Sequence, residues 1–268
     1  MKHRWPIIIL LLTACGDGKE AIVEHALQLG NAQYDAARFL EAVTTYGSAP
    51  GDHRTVYNKG VAYYRTGLLP EAITELGTAA TLTNDPRQAS RAFYSLATAR
   101  AHEAFWADSV QERAGELLDG IRIEGDDIAQ QVRMVVLRDS LQREQHRLRM
   151  LTDSSLAGAS SAYKEALRRA PKDEEARYGL MRVLSTIEAR RKAKADREMG
   201  SNENEDQRKE LSARAQLLVQ RADSLVEAYR FKEALTVLEQ GLKQEPTLKD
   251  KEQYMQKLEV VTKAANAE

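Results

Sequence analysis

The chain has 268 residues, 39 Lys and Arg against 40 Asp and Glu. So even a balance leaves no basic excess to neutralise a phosphate backbone, which argues against a nucleic-acid partner. One cysteine excludes an internal disulfide, so stability must come from packing. Charged residues at 29%, only six prolines, and abundant Ala, Leu, Glu, Lys and Arg point to helices. The length suffices for one or two cores. Strand signals are almost absent: Met134 to Leu137 has β propensity, but helix formers flank it and no turn signal bounds it.

The chain opens with Lys2, His3 and Arg4, followed by a short apolar run from Trp5 to Leu12. A run this short is well below the roughly 20 residues of a membrane-spanning helix, and it has the outline of a signal peptide. Leu12-Thr13-Ala14-Cys15 resembles the bacterial lipobox. The resemblance implies that Cys15 receives a diacylglyceryl group, that residues 1–14 are removed, and that the new amine is acylated. Two or more acyl chains make the attachment effectively permanent. Loss of Lys2 and Arg4 takes the net charge from −1 to −3. Residues 15–19 then form a short lipidated tether. Gly16 stands where an inner-membrane retention signal has aspartate, which favours the outer membrane, with a periplasm-facing body.

From residue 20 a repeated spacing organises the chain. Gly30, Ala42, Tyr46 and Ala49 are separated by 12, 4 and 3 residues, and Gly60, Ala72, Leu76 and Ala79 repeat those intervals. Ala222, Ala234, Leu238, Gly241 and Pro246 follow the same ruler, as do Ala159, Tyr163, Ala166 and Pro171 in part. Small residues 12 apart suit two antiparallel helices crossing closely, and the Tyr or Leu four residues on fills the next layer. In Tyr64-Arg65-Thr66-Gly67-Leu68-Leu69-Pro70, Gly67 suits a helix C-cap and Pro70 a first helical turn.

These offsets, with Tyr57-Asn58-Lys59-Gly60-Val61-Ala62-Tyr63-Tyr64 as the best first helix, resemble the tetratricopeptide repeat family. The resemblance implies an all-α superhelix of helix-turn-helix units. Residues 20–106 hold the first units and the first helix of a third, Phe93 to Ala99. No matching second helix follows 12 residues after Ala97. It appears instead at Ser161 to Pro171, with Ala159 standing 62 residues on. One reading makes 107–154 a helical insertion with its turn at Gly120 to Asp127. The other gives Ala159 its own first helix at about 135–152 and leaves 107–130 as a degenerate partner for Ala97. Contacts between 93–104 and 158–169 discriminate the two.

Residues 155–198 complete the third unit and carry a long helix that starts with the acids Asp173, Glu174 and Glu175, suited to its N-terminal dipole. The basic run Arg190 to Arg197 reads as a solvated helix face. Polar residues at 199–207 read as a linker. A helical pair and cap, 208–268, close the chain.

The five histidines are dispersed and no metal or nucleophile motif is complete, so neither catalysis nor a cofactor is expected. A repeat wall instead offers a concave surface for a peptide or partner helix. The family's groove positions fall on Asn31, Tyr34, Tyr57, Asn58, Tyr64, Arg65, Arg91, Tyr94 and His102. Asn31, Asn58 and Arg91 match part of the family's carboxylate clamp, with Leu27 and Ser95 standing where it has lysine and arginine. The order of units, Tyr163-Lys164-Glu165-Ala166-Leu167 and Asp173 to Tyr178 resembles the repeat proteins of Bat aerotolerance operons. That resemblance implies an envelope partner, a membrane protein with a von Willebrand factor A domain. The expected function is a lipid-anchored scaffold for protein interaction in the cell envelope. Two alternatives stand beside it: an assembly or secretion factor, and a cell-wall-active enzyme with the repeats as a targeting arm.

Overall fold

The computed structural model describes residues 14–123, 127–201 and 211–267, and every regular element among them is helical. The signal peptide expected at 1–14 thus lies outside the described residues except for Ala14, as does most of the expected linker. Residues 15–19, expected as a tether, instead lie inside the first helix, α1 (Ala14–Asp35). No proline interrupts this stretch, and Gly16 and Gly18 each cost only about 1 kcal/mol in a helix. Among the described residues no helix is long and apolar enough to cross a membrane.

Two compact units divide the chain. The first gathers the residues up to Ala107 together with Leu151–Glu188. Its helices pair in order: α1 with α2 (Phe39–Gly47), then α3 (His53–Thr66) with α4 (Leu69–Thr81). Local chemistry sets their ends. Asp52 caps α3 by accepting the Arg54 amide at 2.9 Å, and Gly67 ends it at φ 79°, a left-handed conformation that suits glycine. Pro70 stands in the first turn of α4. The equivalent turn between α1 and α2 places Ala37 at φ 58° without that advantage.

The 12-residue spacing has a direct packing cause. A Cβ on Gly60 would lie 2.8 Å from Leu76 Cγ, and one on Gly30 would meet the Tyr46 ring. In both pairs the large residue sixteen positions on seats against the missing side chain, while Ala42 and Ala72 are wholly buried. Helix axes approach closely there because nothing separates them.

The third pair joins chain segments far apart in sequence. α5 (Pro86–Gly120) and α6 (Ile128–Arg169) pack together over 86–107 and 151–169. Leu96, Ala97, Leu156, Ala159 and Ala166 share one core with Leu76. Ser90 donates to the Ala166 carbonyl at 3.0 Å, and Ser155 donates to Glu103 at 2.6 Å. The contacts between 93–104 and 158–169 are therefore present, while 108–150 belongs to the second unit. α7 (Glu174–Ser201) follows, packing Ala176, Leu180, Val183 and Ile187 into the first unit's core. Positions 199–201, expected in the linker, continue α7; 202–207 lie outside the described residues.

The second unit comprises Asp108–Met150 and the residues from Ala189 on. α8 (Ala213–Glu227), α9 (Phe231–Gln244), a 3-10 turn (Pro246–Asp250) and α10 (Glu252–Ala267) enclose Leu238, Leu248 and Tyr254. Val132 and Val135 of α6 join that core. Beside it lies a buried ion network. Lys257, 2% exposed, reaches Asp139 of α6 at 2.5 Å and also Asp223 of α8. Arg143 bonds Asp223 at 2.8 Å, and Arg138 bonds Asp139 and Gln256.

A candidate interaction cleft

The nine positions transferred to the groove separate into four small groups. Asn31 accepts hydrogen bonds from the Tyr46 hydroxyl at 2.7 Å and from Asn58 at 3.1 Å. Burial pushes the Tyr46 hydroxyl up to about 12, with the Asp35 charge adding to it. Tyr34 packs edge-on against Phe39, over whose ring the Arg65 guanidinium sits at 5.3 Å. The Arg91 side chain covers the Tyr57 ring at 5.0 Å and donates from Nε to the Tyr57 hydroxyl, which also meets Ser95. Within each of these three groups the side chains bond to or stack on near neighbours. The fourth, Tyr64, Tyr94 and His102, faces an open cleft of about 580 Å³. Cys15 lies on α1, outside that set.

First helices α3, α5 and α7 wall the cleft, and Tyr163 of α6 forms its floor. Tyr64 and His102 meet edge-on with centroids 5.5 Å apart, and Tyr94 meets Tyr163 at 5.9 Å. The Thr98 hydroxyl donates to the Tyr94 carbonyl at 3.0 Å. Its single proton is thereby used, so the Tyr163 hydroxyl donates to Thr98 across 3.2 Å. Burial pushes the pKa of both the Tyr94 and Tyr163 phenols up, and the Glu175 charge pushes Tyr94 up further, so both phenols are neutral at physiological pH.

α7 supplies the wall that the sequence did not mark. Glu174, Glu175, Tyr178, Gly179 and Arg182 all line the cleft, with Phe105 of α5 opposite. Tyr178 is 67% exposed, and the Arg182 guanidinium lies over the Phe105 ring at 5.1 Å. A Cβ on Gly179 would stand 2.5 Å from the Tyr163 ring. Glycine here lets the floor tyrosine rise against the α7 backbone. A glycine within an otherwise strong helix pattern was the available signal, since such a residue marks close approach.

Chemically the cleft offers flat apolar faces, phenol and hydroxyl groups, an acidic pair and one guanidinium. Such a lining takes up extended or helical protein segments through burial and stacking. Among the described residues no group of three or more His, Cys, Asp or Glu is placed to hold a metal ion.

Residues 25–89, from α1 to the start of α5, match a family model described as tetratricopeptide repeat. No curated protein matches the chain. The matched segment covers the first two helix pairs, and the all-α paired architecture beyond it is of the same kind.

Proposed function

We propose that the chain is a lipid-anchored scaffold of the bacterial cell envelope, which holds a partner protein in the groove lined by its first helices. The observation that carries this is the cleft: six aromatic or imidazole rings from four helices converge on one open concavity. A large exposed apolar concavity of this kind marks an interaction site. The tetratricopeptide match over 25–89 supports the class of function, since paired-helix repeats present continuous binding walls. Anchoring rests on the lipobox-like Leu12 to Cys15 after a short apolar run. An envelope membrane protein with a von Willebrand factor A domain is the first partner to try.

Two measurements test the proposal together. Cys15→Ser should move folded protein from the membrane to the soluble exported fraction, and persistence in the membrane would refute the anchor. Tyr94→Ala with Tyr178→Ala should abolish recovery of the partner from solubilised envelopes, whereas Arg91→Glu should weaken it less, because Arg91 is engaged with Tyr57. Full recovery by the tyrosine variants would refute the groove.

A further inference from the structure

The cleft carries opposite charges at its two ends. Glu174 and Glu175 stand at the start of α7, and Arg182 lies two turns further along the same wall. Seven residues at 1.5 Å separate Glu175 from Arg182 by about 10 Å along the axis. Between them the surface is Tyr178 at the rim and the Tyr163 ring, brought up against Gly179, on the floor. Glu174 is partly neutralised by Arg177 at 2.7 Å, which leaves Glu175 as the principal acid of that end. At the other end Arg182 stacks on Phe105, and no carboxylate among the described residues pairs with it.

A bound segment must present its two charges on one face about 10 Å apart. In an extended segment alternate side chains share a face, so residues i and i+4 stand about 13 Å apart with the side chain of i+2 between them.

We infer that the cleft takes an extended peptide segment of its partner in which a basic and an acidic side chain four positions apart share one face with an apolar side chain midway between them. The basic side chain meets Glu175 and the acidic one Arg182, while the apolar one lies on Tyr94, Tyr163 and Tyr178. This rests on the groove reading given above and specifies the partner's chemistry.

The test uses the full chain and three fluorescein-labelled peptides with capped, glycine-padded ends: Lys-Ser-Leu-Ser-Asp, Lys-Ser-Leu-Ser-Lys and Asp-Ser-Leu-Ser-Asp. Fluorescence anisotropy should show the mixed peptide binding about fivefold tighter than either like-charged one, the effect of one rim charge pair. Arg182→Glu should shift the preference to Lys-Ser-Leu-Ser-Lys, and Glu175→Lys to Asp-Ser-Leu-Ser-Asp. The double swap Glu175→Lys/Arg182→Glu should restore the mixed preference with an unchanged melting curve. Equal binding of all three peptides by the unmodified chain would overturn the charge pattern while leaving an apolar groove. Absence of binding by any peptide would overturn it as well; whether the groove reading also falls is then read from partner recovery by the Tyr94→Ala and Tyr178→Ala variants.

Discussion

Lys257→Met tests how the second unit is held together. Lys257 is almost fully buried and faces two aspartates, Asp139 on α6 and Asp223 on α8, of which Asp223 is itself buried. Methionine keeps the length and apolar stem of lysine, so packing changes little and the charge alone is lost. Two carboxylates are then left close together. Arg143 and Arg138 offset part of their repulsion, but Arg143 is substantially exposed. Breaking a buried pair by removing one partner costs 3–5 kcal/mol; with the arginines in place we expect about 3 kcal/mol. Replacing the facing acid as well, in Lys257→Met/Asp223→Leu, should recover about 2 kcal/mol of that loss, because no uncompensated buried charge then remains on α8. Urea unfolding gives the magnitude, and hydrogen exchange gives the place: protection should fall in 128–148 and 213–267 and persist in α3 and α4. A change below 1 kcal/mol, or one confined to the first unit's helices, would refute the reasoning.

Further expectations concern the first unit. Gly60→Ala brings a Cβ to 2.8 Å from Leu76 Cγ and 3.1 Å from its backbone nitrogen. Overpacking should outweigh the gain in helix propensity, and chemical denaturation should show a net loss of about 1–2 kcal/mol. Ala37→Gly relieves a left-handed alanine at φ 58° and should stabilise the unit by about 0.5–1 kcal/mol, read as a raised Tm. Tyr46 ionises at about 12 when folded against 10.0 when free. Its folded pKa is raised, so its contribution is complete below pH 10 and is lost as pH rises toward 12. Stability should fall by about 2 kcal/mol over that window, and Tyr46→Phe should flatten the fall while lowering stability at pH 7 through the lost bond to Asn31.

Much of the paired-helix fold was legible because its cause is local and periodic. Gly30 and Gly60 stand sixteen residues before the side chains that need their space, so the intervals betray the crossing. The separation of α5 from its partner was also visible, as an Ala97 with no matching helix 12 residues on. The cleft was only half legible. Tyr64, Tyr94 and His102 came from first-helix positions, but Glu174 to Arg182 looked like an ordinary helix start. Their role arises when α7 packs beside α5 across more than seventy residues of chain, which no local spacing encodes. Asn31, Asn58, Tyr57 and Arg91 carry suitable groups, yet each satisfies a near neighbour, a choice that depends on distances rather than residue types. Lys257 left one trace: a lysine on the α10 face that also carries Tyr254 and Val261.

Site-specific photocrosslinking in living cells tests the central claim most directly. A photoreactive phenylalanine analogue replaces Tyr178 at the cleft rim or, as a control, Leu82, which is 47% exposed outside the cleft. The account predicts a discrete envelope-protein adduct from position 178 that disappears with Tyr94→Ala, and none of that mass from position 82. The same adduct from both positions, or one from 178 that survives Tyr94→Ala, would contradict it.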